Sequence, residues 1–299
     1  MSDTLVQKIQ KTELRLENLR QRLKKNEKKI SPPINKRGAG EKATTMVKYA
    51  MPNNIRDWKV EHAGGGFDNV KFDKKEDATI VNLKKGGFAA GAGVNLKCEV
   101  DEIFPAKHIK FSYKVYVPDN FDAVKGGKFP GITLNGGCGG RDWQKDRGSV
   151  RIMFRREGQL VAYLYLPTNQ GEYNGGENCK LMKNQGKCFR ENCHHTNGAG
   201  LDMFRNLPKK DQLRLENGKW NDITLHLKLN DAGKNNGILE LSVNGKTHTI
   251  DDMMYSSDPD KTPFKFYQHS VWFGGGDKSY APDADTEMKF KEIQFEKLG

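Results

Sequence analysis

The sequence predicts an all-β protein, an antiparallel β-jelly-roll sandwich behind a short N-terminal helical tail, and three observations carry that reading. Apolar residues alternate with polar ones in many short runs after residue 46. Glycine- and asparagine-rich turns such as NDAGKNNG, NGK and FGGGDKS separate several of these runs. A helical period of useful length occurs only in the first 42 residues, so strands must build the rest.

The tail comes first. Leu5, Ile9, Thr12, Leu16, Leu19, Leu23, Asn26 and Ile30 fall at alternating spacings of four and three, the seam of a heptad repeat, with Lys, Arg, Glu and Gln between them. Pro32 and Pro33 stop the helix, and KRGAGEKATT reads as a linker into a domain spanning 46–299. Residues 1–42 form a basic tail that self-associates or docks a partner, or else an amphipathic helix lying on the main domain. Both readings stay open.

The strand domain follows. His108–Val117 puts Ile109, Phe111, Tyr113, Val115 and Val117 on one face and Lys110, Ser112, Lys114 and Tyr116 on the other. Similar runs occupy Ser149–Phe154, Leu160–Leu166, Asp222–Leu229, Ile238–Val243, Phe264–Phe273 and Met288–Phe295. About 250 residues of such strands are enough for one jelly-roll domain.

Composition narrows the function classes. The 299 residues carry 50 Lys+Arg against 38 Asp+Glu, a net charge of +12 that asks for a polyanionic partner. The tail holds 12 of the bases and 5 of the acids, so it accounts for +7 and the domain for +5. No apolar run approaches the roughly 20 residues of a membrane span, and the start MSDTLVQKIQK lacks the apolar core of a secretion signal. No nucleic-acid-binding motif appears either. Synthesis in the cytoplasm is the expectation.

Chemistry concentrates between Gly126 and Thr168. Two strands form a hairpin around Arg156-Glu157-Gly158. Val150, Ile152 and Phe154 join Ala162, Leu164 and Leu166 on a core face, which leaves Ser149, Arg151, Met153 and Arg155 beside Val161, Tyr163 and Tyr165 on the other. A face of guanidinium, hydroxyl and phenols suits an acidic sugar, because Arg forks a carboxylate and the rings offer flat surface. It also suits β-elimination in a polyuronate. That reaction needs the C6 carboxylate neutralised, a base for the C5 proton and an acid for the departing O4; it needs no metal or other cofactor.

The run Gly-Gly-Lys-Phe-Pro-Gly at 126–131, Ser149-x-Arg151, Tyr163-x-Tyr165 and the ending WFGGGDKSYAPDADTEMKFKEIQFEKL resemble polysaccharide lyase family 14. Within it, the glucuronate-cleaving, alginate-lyase-like enzymes of chlorella viruses are most similar. The resemblance covers 46–299 and excludes the tail. It implies a jelly roll with a substrate groove on one sheet, cleavage of glucuronate- or mannuronate-containing chains, and a catalytic set of Lys128, Ser149, Arg151, Tyr163 and Tyr165. Lys128 and Arg151 would neutralise the carboxylate and Ser149 would add a hydrogen bond. The proton acceptor stays open among Tyr163, Tyr165 and Lys128. Lys125, three residues upstream, competes with Lys128, which directly precedes Phe-Pro-Gly. Arg155, Asn135 and His269 complete the substrate-binding candidates. The resemblance further implies a virus-encoded protein acting on algal cell wall by way of the virion or host lysis.

Other residues offer rival readings. Cys179, Cys188, Cys193, His194 and His195 imitate a metal cluster, but the cysteine intervals lack the close pair that zinc sites use, so a disulfide or free thiols compete there. Glu99, Asp101 and Glu102 imitate a retaining glycosidase triad, yet Asp101 and Glu102 are adjacent and would point to opposite faces. Trp143 either stacks on a sugar or packs its loop. A non-catalytic lectin using the same groove is the main alternative to the lyase.

Overall fold

A computed structural model describes residues 46–137, 146–167, 200–275 and 277–299, together with the backbone of 193–196. The expected helical tail, Trp143 and the side chains of the cysteine–histidine segment lie outside the described residues. Residues Thr44–Gly299 form one compact unit.

Seventeen strands are seen among the described residues, in the order β1 (Val47–Ala50), β2 (Val60–Ala63), β3 (Val70–Asp73), β4 (Ala78–Leu83), β5 (Val94–Cys98), β6 (His108–Tyr116), β7 (Gly127–Leu134), β8 (Gly148–Phe154), β9 (Gln159–Tyr165), β10 (Cys193–Thr196), β11 (Gly200–Met203), β12 (Leu213–Arg214), β13 (Trp220–Lys228), β14 (Gly237–Val243), β15 (Lys246–Met253), β16 (Phe264–Phe273) and β17 (Thr286–Lys297). One antiparallel sheet runs β15-β14-β13-β6-β17-β4-β3, with β1 also on β17. The second runs β10-β11-β9-β8-β7-β16-β5-β2, with β12 on β9. The fold is all-β, as the alternation predicts.

The same alternation explains why the sheets pair. On β6, Ile109, Phe111, Tyr113 and Val115 are buried while Lys110 is exposed. On β13, Ile223, Leu225 and Leu227 repeat the pattern. These inward faces meet those of the second sheet in one core: Phe111 packs on Tyr267 with ring centroids 5.3 Å apart, and Phe129 meets Phe290 edge-on at 5.9 Å. Removing this apolar surface from water is what holds the sheets face to face.

β7, β8 and β9 sit in the middle of the second sheet. Both of their faces are buried except at Lys128, which is half-buried, unlike the half-exposed strands of the first sheet. Inward, Val150, Ile152, Phe154, Ala162 and Leu164 join the main core. Outward, Met153, Val161, Tyr163 and Tyr165 form a separate small cluster. A strand needs no second buried face to join a two-layer fold, so this outer cluster is where the sheet holds something besides stability.

Candidate active site

The hairpin β8–β9 turns at Arg156–Gly158, where Glu157 and Gly158 take positive φ. Its register places Ser149 opposite Tyr165 and Arg151 opposite Tyr163. On the other side of β8, β7 places Thr133 opposite Ser149, Gly131 opposite Arg151 and Lys128 opposite Met153. β11 then sets Asp202 opposite Tyr163. Side chains up to 74 positions apart in sequence, from Lys128 to Asp202, thus share one patch of sheet, because antiparallel pairing returns each strand beside another.

Glycine makes this row possible. A Cβ on Gly131 would lie 2.3 Å from the Val150 carbonyl oxygen and 3.0 Å from Arg151 Cγ, so only glycine lets the arginine stem lie flat against β7. A Cβ on Gly200, at the start of β11, would lie 2.3 Å from the Tyr163 hydroxyl.

Lys128 is the centre of the cluster. Its Nζ donates to Met153 Sδ at 2.8 Å and lies 3.6 Å from the centroid of the Tyr163 ring. Burial of the amine holds its pKa well below the usual lysine value; the Arg151 and Arg155 guanidiniums push it further down and the Asp202 carboxylate opposes them. The hydroxyls of Tyr163 and Tyr165 hydrogen-bond at 2.9 Å, with the rings edge to face. The Arg151 guanidinium carbon lies 5.9 Å from one ring and 5.8 Å from the other. Ser149 is fully buried beside them.

Lys128, Ser149, Arg151, Tyr163 and Tyr165 are therefore brought together. Lys125 is not: its Nζ donates to Ser279 Oγ at 2.7 Å, away from the cluster. Arg155 reaches the cluster's edge, with its guanidinium 5.7 Å from the Tyr163 ring, but it is buried and pairs with Asp202 at 2.5 Å. Asn135 follows β7 with φ 44°, and its amide donates to the Asp146 carbonyl at 3.2 Å, bracing the turn between β7 and β8. His269 does not reach the groove face. It shares the inward face of β16 with Tyr267, Val271 and Phe273, and its ring meets Phe290 of the opposite sheet at 5.1 Å. Its Nδ1 is 2.7 Å from the Tyr267 hydroxyl, and burial lowers its pKa to about 3. Its environment is apolar core, and it is corrected here from groove residue to core residue.

Asp202 is the member that sequence reasoning missed. Among the described residues no three His, Cys, Asp or Glu side chains are grouped to hold a metal ion. Glu99 and Asp101 both pair with Lys59, at 2.6 and 2.8 Å, which leaves no cleft of free carboxylates there.

Beside the cluster, Trp272 stands opposite Lys128 on β16. A cleft of about 300 Å³ opens there, lined by Arg151, Thr133, Trp272, Gln268, Asn95 and Lys97 among others. The outer face thus combines a desolvated amine, a guanidinium and two linked phenols next to a groove. These are the parts for neutralising a carboxylate and moving protons nearby.

Residues 71–293 match the Polysaccharide lyase 14 family. The chain belongs to that family. Among solved structures, this family member is similar to the marine PL-14 alginate lyase from Aplysia kurodai, with a TM-score of 0.67 and 23% identity over 79% of this chain and 89% of that one. Alginate lyase vAL-1 from Chlorella virus gives 0.62 and 21% over 81% and 93%. Both likenesses are of fold. An Exolysin of Paramecium bursaria Chlorella virus 1 is 30% identical over 84 residues, which is 28% of this chain but only 13% of that protein. The family match and these fold likenesses place the chain among polysaccharide lyases by family.

Proposed function

We propose that this lyase cleaves glucuronate-containing, alginate- or glucuronan-like acidic polysaccharides by β-elimination. The observation that carries the reading is the Lys128 amine, set against Met153 and the Tyr163 ring with Arg151 at its side. A lysine whose burial favours the neutral form can accept a proton at a pH where an ordinary lysine stays charged.

The reaction assigns each group one task. Arg151 forks the C6 carboxylate, which draws charge from the sugar and acidifies the C5 proton. Neutral Lys128 takes that proton. The Tyr163–Tyr165 hydroxyl pair, 2.9 Å apart, passes a proton to O4 as the C4–O4 bond breaks. The products are a chain with a C4=C5 double bond at its new non-reducing end and a chain ending in a free hydroxyl. Ser149, opposite Tyr165, steadies the row.

The likenesses to vAL-1 from Chlorella virus and to a chlorella-virus Exolysin support a role in degrading algal cell wall during virus infection, with the protein made in host cytoplasm and reaching the wall through the virion or lysis. Incubation with polyglucuronate and with alginate tests the chemistry directly. Growth of ultraviolet absorbance from the conjugated product is the expected result with at least one of them, and the relative rates give the preferred uronate. Tight binding of both without any unsaturated product would leave a lectin in place of a polyuronate lyase.

A further inference from the structure

The cleft beside Arg151 holds polar atoms that the protein itself leaves unused. Thr133 is 1% exposed and its Oγ1 has no hydrogen-bond partner among the described residues. A buried hydroxyl without a partner is costly, and its place in the cleft wall gives it a use. Two strands away, Asn95 Oδ1 accepts from both Gln268 Nε2 and Ser270 Oγ, at 3.0 Å each. Those bonds leave Asn95 Nδ2 as a donor and Gln268 Oε1 as an acceptor without protein partners among the described residues, and both side chains line the cleft. Trp272 adds an apolar wall directly opposite Lys128 in register. The nearby cation is already compensated: Lys97 pairs with Glu61 at 2.8 Å and lies over the Phe266 ring.

One donor, one acceptor and one hydroxyl around an apolar wall match the face of a pyranose, whose hydroxyls both donate and accept. They do not require a second carboxylate, because Lys97 on that wall is already paired with Glu61. At about 300 Å³ the cleft falls at the lower end of small-ligand sites, roughly 300 to 1,000 Å³. Resting on the reading of this centre as a uronate lyase, we infer that the cleft is a subsite for the sugar adjoining the uronate held at Arg151. It reads that sugar through its hydroxyls, by way of Thr133, Asn95 and Gln268, and makes no demand for its carboxylate.

The test uses a glucuronate tetrasaccharide with the full chain. Thr133→Val removes only the unpartnered hydroxyl and keeps the shape, so thermal stability should be equal or higher; Gln268→Ala removes the acceptor. Each is expected to raise KM about three- to tenfold, the scale of one uncharged hydrogen bond, with kcat within about twofold. In a Lys128→Ala background, where the sugar stays intact, calorimetric Kd should weaken by the same factor. Unchanged KM and Kd in both variants would overturn the subsite. A parent that binds the tetrasaccharide but forms no unsaturated product, with Kd still weakened by Thr133→Val, would keep the subsite and remove the lyase reading. A parent that neither cleaves nor binds it would remove both.

Discussion

Lys128 is built to be a poor cation. Its amine gives up water for a thioether and a ring face while two guanidiniums stand nearby, and each of these favours the neutral form. Lys128→Met keeps the stem and deletes the amine; kcat should fall about 10²- to 10⁴-fold, the usual worth of a general base, while thermal stability stays equal or rises. In the parent, kcat/KM should fall as pH drops through the depressed lysine pKa, because the protonated amine can no longer accept a proton. Tyr165→Phe probes the other half of the transfer. It should cost kcat about 10² or more; a loss of only a few-fold would move the proton to Tyr163. His269 makes the contrasting case, a titratable side chain held in the apolar core against Tyr267 and Phe290. Its folded pKa of about 3 lies below the ordinary value of 6.5, so its contribution to stability is complete above pH 6.5 and lost as pH falls toward 3. His269→Gln should therefore lose less melting temperature between pH 7 and pH 4 than the parent does, as read by circular dichroism at each pH.

Strands β8, β9 and β11 act together, and the Arg155–Asp202 pair joins them across the outer face. Asp202 is 1% exposed, so removing its charge strands a buried guanidinium. Asp202→Asn should destabilise the fold by about 3 to 5 kcal/mol in a denaturant titration. It should also shift the acid limb of kcat/KM to lower pH, since the one carboxylate that holds the Lys128 pKa up is gone. Arg155, expected to contact substrate, thus gains a second duty as a strut. The β8–β9 hairpin was legible because each strand is apolar on one parity and chemically loaded on the other, and antiparallel register does the rest. The loading of β7 showed less, because Phe129 and Gly131 flank a register shift that breaks the alternation. Asp202 gave no signal at all: a four-residue strand with one acid has no period, and its partner is 47 residues away. His269 was misplaced for a different reason. Tyr267 and Phe273 mark the inner parity of β16 while Phe266 and Trp272 put aromatics on the outer one, so aromatic content cannot tell the faces apart. Counting from Val271, which is fully buried, gives the inward assignment.

At the scale of the molecule, charge and fold are separable. Among the described residues, the buried members of the main core run from Met51 to Phe295. The first 42 residues carry +7 of the net +12. The domain's own surface is largely self-compensated, with Lys48, Lys84, Lys107 and Lys114 each paired to an acid. A polyanionic substrate approaching the whole protein therefore meets more than half of its net positive charge in the tail, while the chemistry waits at Lys128 and Arg151. Deleting residues 1–42 should leave melting temperature and kcat unchanged and raise KM for a long polyuronate several-fold at low ionic strength. Because the Debye length shrinks from about 10 Å at 0.1 M salt to about 3 Å at 1 M, the gap between truncated and full chain should close as salt is added. A truncation penalty on KM that persists at 1 M salt would instead assign the tail a specific contact with the glycan, and loss of folding on truncation would mean that the tail packs against the domain.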